Sequence, residues 1–316
     1  LNDFCTSSKW AYQNEDVEVL TINVNDFDSY KMNAFPVIAD AKKSLEAIST
    51  GLKEKGYASE YTDEIQKVKE EWNQEVDRLY NIELDKGLSQ TRVLGELNEK
   101  LTDHDAVVVT AAGSLPSDCQ RVWRRRTDNI YHAEYAFSCM GYEVAGAIGA
   151  KLAEPDKEVY ALLGDGSFLM LHTELVTSLQ ENIKINIILL DNHGYQRIHN
   201  LQRQEGIPSF ANEFRYREER SNRLTGECMP IDFAKVAEGY GAKGFRAKNI
   251  NEVQKAFKGM KASEVTSLMD IKVLPGTMTF GYDSWWRVGT AQISKHESVT
   301  KAAEKIKEQL KIAKQY

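Results

Sequence analysis

A chain of 316 residues has room for one large or two medium domains and can bury a substantial core. Charged side chains make up 28% of it and the net charge is −7, which argues against a nucleic-acid surface. No apolar stretch approaches the roughly 18 residues that span a membrane, and Leu1-Asn2-Asp3-Phe4 does not open a signal peptide, so no membrane association is expected.

The chain begins with Leu1 rather than Met and runs straight into folded-looking sequence, which reads as a truncated chain. The alternating run Val17–Val24 predicts a strand, Asn25–Lys31 a loop, and Phe35–Ala39 a second short strand. Asp40 is placed to cap a helix with Ala41, Leu45 and Ile48 inward, closed by Gly51 or Gly56. Residues 1–56 are thus expected to be the remnant of a second α/β domain, too small for a sheet of its own. Residues 57–90 are strongly polar, and Thr62–Tyr80 predicts an amphipathic linker helix.

The main domain is expected over residues 91–316. Thr91–Leu101 predicts a helix with Val93, Leu94, Leu97 and Leu101 inward, and Ala106–Thr110 a buried strand. The turn Ala111–Pro116 follows at the strand's carboxyl end, the edge where open parallel sheets bind ligands. Gly113, Ser114 and Leu115 there either contact a phosphate or form an ordinary loop. Arg124-Arg125-Arg126 reads as an ion-pair cluster or solvated face. Beyond it, Gly141, Ala145 and Gly149 put small residues on one face of a helix. Val159–Leu163 is a strand stopped by Gly164, Phe168–Asn182 a helix with Leu169, His172, Leu175, Val176 and Leu179 on one face, and Ile185–Leu190 a second buried strand. Residues 195–230 are long, polar and rich in Arg. His193, His199, Arg215 and Arg217 there either touch an oxygen-rich substrate or sit in a solvated loop. Asp232 caps a further helix, Ser267–Val273 is a last strand, Phe280–Arg287 an aromatic cluster, and His296–Tyr316 a Lys-rich helix. The four cysteines have no metal-binding spacing and read as reduced thiols of a cytoplasmic protein.

The chemistry concentrates at Gly164-Asp165-Gly166-Ser167 and Asp191-Asn192-His193-Gly194. Strand, helix and parallel strand make one right-handed unit, so both turns open at the same sheet edge. Asp165, the Asn192 amide and a carbonyl of the second turn, at Gly194, then form a set of hard oxygen ligands of the kind Mg²⁺ takes together with phosphate oxygens and water. Gly166 and Ser167 open a helix, where free N–H groups and the helix dipole favour a phosphate. Gly-Asp-Gly alone is a common turn; the whole pattern at this spacing is far more specific.

That pattern resembles the cofactor-anchoring motif of thiamine diphosphate enzymes, the family that includes acetolactate synthase and pyruvate oxidase. The resemblance implies an open parallel sheet flanked by helices, with thiamine diphosphate and Mg²⁺ as cofactors. By position it gives Met140 the role of propping the bent cofactor and the Ser138 backbone carbonyl that of meeting the aminopyrimidine. Ile22-Asn-Val-Asn25 and Pro36–Ala41 are similar to the end of the family's central domain. Gly113–Arg126, Tyr135–Gly146, Asn212–Arg217 and Ser284–Gly289 resemble the branch that opens a polyhydroxylated cyclic dione, trihydroxycyclohexane-1,2-dione, to 5-deoxy-glucuronate in bacterial myo-inositol breakdown. An acetolactate synthase-like carboligase is the alternative. The family's activating glutamate belongs to an N-terminal domain and acts across a subunit interface. No catalytic residue is therefore expected in this chain, which is read as inactive alone and as part of a homo-oligomer.

Overall fold

The computed structural model describes residues 16–101, 106–124, 130–135, 137–279 and 288–312. The chain divides into two compact units, Leu1–Glu71 with Gln204–Ile207 and Gly281–Tyr316, and Trp72–Arg203 with Pro208–Phe280.

In the first unit β1 (Leu20–Asn23) pairs in parallel with β2 (Phe35–Ile38), Ile22 opposite Val37. The expected loop between them holds a short helix, α1 (Asp26–Ser29), because the Asn25 side chain accepts from the Asp28 amide. After β2, Asp40 caps α2 (Ala41–Glu54) by accepting from the Lys43 amide at 2.9 Å. Gly56 closes it, with φ at +63° and its amide donating to the Lys53 carbonyl. Leu45 and Ile48 were expected inward; they are 59% and 45% exposed, since two strands of four residues offer too little surface to cover a helix face. The Lys-rich helix α12 (Glu297–Ile312) also belongs here.

α3 (Asp63–Tyr80) runs across the boundary between units. Val76 and Leu79 are buried, whereas Ile65 and Val68 are exposed. The second unit then continues with α4 (Gln90–Lys100), β3 (Ala106–Thr110), α5 (Ser114–Val122), β4 (Ile130–Ala133), α6 (Tyr142–Ala153), β5 (Glu158–Gly164), α7 (Asp165–Leu171), α8 (Glu174–Gln180), β6 (Asn186–Asp191), α9 (Gln196–Gln204), α10 (Phe233–Tyr240), β7 (Lys243–Ala247), α11 (Ile250–Lys261) and β8 (Ser267–Lys272). Six strands form one parallel sheet in the order β4-β3-β5-β6-β8-β7. The open parallel α/β architecture expected from the sequence is therefore present.

Burial on both faces explains why β3, β5 and β6 are continuous apolar runs. Val108, Leu162 and Ile188 pack with Leu94, Leu115 and Phe257 of α4, α5 and α11. Val107, Leu163 and Leu189 pack on the opposite face with Val144, Leu175 and Phe233 of α6, α8 and α10. The connection from β3 leads to one face and that from β5 to the other. The chain order also reverses at this pair, so a crevice opens outside their carboxyl ends.

Some expectations are corrected. Phe168–Asn182 is two helices rather than one. The helix starts earlier, at Asp165, and breaks at His172-Thr173, where Leu175 and Val176 amides bond three residues back. Phe168 and Leu175, seven residues apart, are buried, whereas Leu169 and Val176, each one residue on, are exposed. The stretch after Tyr195 opens with helix α9 instead of loop. Arg124 pairs with Asp77 at 2.5 Å and donates to the Asn73 carbonyl, while Arg125, Arg126 and Phe280–Arg287 lie outside the described residues. Cys119, Cys139 and Cys228 are free thiols. Among the described residues no helix is long and apolar enough to cross a membrane.

Candidate functional site

The carboxyl ends of β5 and β6 lie side by side, with Gly164 paired to Leu190. Asp165 follows Gly164 and is fully buried. Its Oδ1 accepts from the Gly166 amide at 2.9 Å and its Oδ2 from the Gly194 amide at 2.7 Å, so one carboxylate ties the two turns together. The second turn needs left-handed backbone at His193 (φ +62°) and at Gly194 (φ +139°). Asp191 anchors it, accepting from the His193 amide through Oδ1 and from Lys272 Nζ through Oδ2. Lys272 also donates to Asp270 at 3.0 Å and to the Ile231 carbonyl at 2.7 Å. Replacing Lys272 with Met leaves two buried carboxylates without a counter-charge. We expect a loss of about 3 kcal/mol in urea unfolding, with a loss below about 0.5 kcal/mol refuting this account of the anchor.

The Asn192 amide oxygen lies 3.0 Å from the Gly194 carbonyl oxygen and 3.2 Å from Asp165 Oδ1. Three oxygens at this spacing repel unless a cation sits among them or the amide is turned over to donate. One carboxylate, one amide and one backbone carbonyl are donors that suit a hard cation. No group of three or more His, Cys, Asp or Glu able to hold a metal occurs among the described residues. Burial, and then the neighbouring Asp191 charge, push the Asp165 carboxyl well above the usual carboxylate range. A cation at this point would reverse that push.

All ten residues that the sequence marked for cofactor or metal border one cleft of about 160 Å³. Gly113, Ser114 and Leu115 come from the β3 end, Ser138 and Met140 from the approach to α6, Asp165, Gly166 and Ser167 from the β5 end, and Asn192 and Gly194 from the β6 end. Gly113 has φ at +113° and faces open space, whereas a Cβ on Gly166 would meet the Tyr195 ring at 2.7 Å. Ser138 is left-handed (φ +55°), a strained setting for a side chain other than glycine. The Ser167 hydroxyl donates to Glu143 Oε2 at 2.7 Å and accepts from the Gly141 amide at 2.8 Å. It is thereby committed to joining α7 to α6. His193, His199, Arg215 and Arg217 do not line the cleft: Arg215 pairs with Glu213, Arg217 holds Asn222, and His199 is buried. The wall in that direction is Tyr195, Gln196, Arg197 and Ile198.

A family model described as "Thiamine pyrophosphate enzyme, C-terminal TPP binding domain" matches residues 111–271. The chain belongs to this family. Over 99% of its length it is 48% identical to the 3D-(3,5/4)-trihydroxycyclohexane-1,2-dione hydrolase of Clostridium tetani (strain Massachusetts / E88), covering 52% of that protein. The corresponding hydrolase 2 of a Bacillus cereus strain is 50% identical with the same coverage, and the hydrolase of Clostridium botulinum (strain Eklund 17B / Type B) is 46% identical over 100% of this chain and 52% of its own. The chain thus spans about half the length of the curated relatives it matches. Among solved structures, the thiamine diphosphate-dependent 4-hydroxybenzoylformate decarboxylase of Rhodococcus jostii RHA1 shares the fold, with a TM-score of 0.64 at 18% identity over 83% of this chain and 45% of that one.

Around this cleft stand polar groups the sequence did not single out. Glu143 is fully buried, and burial raises its carboxyl above the usual range. A charged residue inside the small-residue helix α6 was the only signal of it. Gln90 and Asp118 are buried behind Ser114. Burial pushes Asp118 up to about 6, against lowering contacts from Thr279, Gln90 and Arg121. With the folded value above the unfolded one, its favourable contribution is complete below about pH 4 and is lost as pH rises through about 6. Asp118→Asn removes that dependence. Urea unfolding from pH 4 to 7 is expected to move the stability difference in the variant's favour by about 3 kcal/mol; a constant difference would show that the carboxyl titrates normally.

Proposed function

We propose that this chain supplies the diphosphate- and Mg²⁺-binding part of a hydrolase that opens a cyclic 1,2-dione by carbon–carbon cleavage, converting trihydroxycyclohexane-1,2-dione to 5-deoxy-glucuronate. The meeting of three oxygens at Asp165, Asn192 and Gly194 carries the reading of the site. Identity of 46–50% to relatives named for the dione narrows the substrate. Bound thiamine diphosphate supplies a nucleophilic carbon and an electron sink for the cleavage.

In this reading Asp165, Asn192 and the Gly194 carbonyl hold Mg²⁺, which anchors and neutralises the diphosphate. The backbone at Gly166 and Ser167, opening α7, faces the phosphates, and Gly113, Ser114 and Leu115 border them from the β3 side. Met140 props the cofactor and the Ser138 carbonyl orients its aminopyrimidine. No residue of this chain is assigned the activating proton transfer. Phe137 (87% exposed), Met170 (52%), Leu171 and Tyr142 are exposed apolar or aromatic side chains, which supports burial against another copy in a cytoplasmic homo-oligomer of the myo-inositol pathway.

The test is a coupled assay on the complete gene product with Mg²⁺ and thiamine diphosphate, comparing the cyclic dione with pyruvate. Consumption of the dione with release of one carboxylic acid per turnover is the expected result. Carboligation of pyruvate with no action on the dione would favour an acetolactate synthase-like enzyme instead.

A further inference from the structure

We propose that Gln90 and Asp118, neither of which lines the cleft, are positioning residues that fix the orientation of the Asn192 amide and so present an oxygen, not an N–H, to the cation. The inference rests on the metal site proposed above.

The polarity of the relay can be followed from donors that cannot be reversed. Arg121 Nη1 donates to the Thr279 hydroxyl at 2.7 Å and to the Thr279 carbonyl at 3.0 Å. The Thr279 hydroxyl therefore gives its own proton to Asp118 Oδ1 at 2.5 Å, beside the Thr279 amide at 3.0 Å. An ionised Asp118 only accepts, so its Oδ2 takes the Gln90 Nε2 proton at 2.8 Å. With its nitrogen committed, Gln90 turns Oε1 towards Asn192 Nδ2 at 3.3 Å and the Ser114 hydroxyl at 3.5 Å. Gln90 thereby favours the orientation of Asn192 that turns its oxygen towards Asp165 and the Gly194 carbonyl.

Turning the Asn192 amide over would relieve the crowding of oxygens at Asp165 and let the Ser114 hydroxyl donate to the Asn192 oxygen at 3.3 Å. But it would set that oxygen against Gln90 Oε1 at the same distance, a repulsion that Gln90 imposes only while Asp118 holds its nitrogen. Gln90 and Asp118 are each 1% exposed and Asn192 4%, so solvent is poorly placed to rescue a mismatched pair. The buried relay moves the frustration to the one place where a cation resolves it. Partners behind metal ligands commonly account for 10–100-fold in affinity.

Three substitutions test this, read as the Mn²⁺ dissociation constant at saturating thiamine diphosphate (from the electron paramagnetic resonance of free Mn²⁺) and as the melting temperature without metal. Asp118→Asn turns an acceptor into a donor facing Gln90 and should reverse the relay; Gln90→Leu cuts it. Each is expected to weaken Mn²⁺ binding at least tenfold. Asn192→Asp offers an oxygen in either orientation, so in that background both changes should alter Mn²⁺ affinity less than about twofold. Equal losses with and without the Asn192→Asp change, or no loss in either background, would overturn the proposal. Asp118→Asn, a change of one atom, carries the test if Gln90→Leu does not fold. Absence of Mn²⁺ binding by the unsubstituted chain overturns the metal site itself, and the relay with it.

Discussion

Mg²⁺ and thiamine diphosphate together, at about a hundred times their dissociation constants, are expected to raise the melting temperature by roughly 5–10 °C, and Asp165→Asn to abolish the rise. Ligand at that excess adds about 2.7 kcal/mol to the folded state, a shift of several degrees for a unit of this size. Asp165 is the only carboxylate among the three oxygens that meet at Asn192, so in the proposed site it would bring the full charge to a dication. Its carboxyl is already held above the usual range by burial and by Asp191. A dication therefore gains more here than at a solvated aspartate. Asparagine keeps the shape and removes the charge, and metal affinity should fall by two orders of magnitude or more. Its amide nitrogen would also face an N–H donor, from Gly166 or from Gly194, so the metal-free variant should be less stable by about 1–2 kcal/mol. An undiminished thermal shift in Asp165→Asn, read by scanning fluorimetry with and without the cofactor pair, would remove Asp165 from the site.

The cleft was legible in the sequence because its information is local. A strand buried on both faces must be a continuous apolar run, and Val159–Leu163 and Ile185–Leu190 are such runs. Glycine marks where each strand has to turn, and the acid and amide stand within a few residues of those turns. β4 and β7 were missed because Ile130–Ala133 and Lys243–Ala247 are edge strands with polar or small residues and no clean alternation. α2 shows the reverse case. Its apolar period is real, but period fixes only which residues share a face, and Leu45 and Ile48 remain exposed. Gln90, Asp118 and Glu143 were not legible at all. Gln90 meets Asn192 across 102 residues and Asp118 meets Thr279 across 161, and no local pattern encodes a hydrogen bond between such distant positions. Their burial contradicts the ordinary habit of Gln, Asp and Glu, so only coordinates reveal it.

Alanine at Gly194 and at Gly113 should fail in different ways, and the contrast separates scaffold from ligand surface. Both glycines have positive φ, +139° and +113°, so either substitution carries backbone strain of about 1–2 kcal/mol. At Gly194 a Cβ would also lie 2.2 Å from the Asn212 carbonyl oxygen and 2.8 Å from Glu213 Cα, and neither backbone atom can swing aside. The clash would push the second turn off Asp165, lose the 2.7 Å bond to its amide and move the carbonyl proposed as a metal ligand. A destabilisation of roughly 3 kcal/mol or more is expected, together with loss of metal binding. At Gly113 a Cβ meets nothing within 4 Å, because it points into open space at the cleft. That variant should keep most of its stability but bind the diphosphate cofactor at least tenfold more weakly, since the methyl occupies room the ligand needs. Urea unfolding paired with cofactor titration distinguishes the two. If Gly113→Ala binds as tightly as the parent, the β3 end is an ordinary loop and the diphosphate lies elsewhere; if Gly194→Ala unfolds at the parent's midpoint, the turn is soft and cannot hold an ion in place.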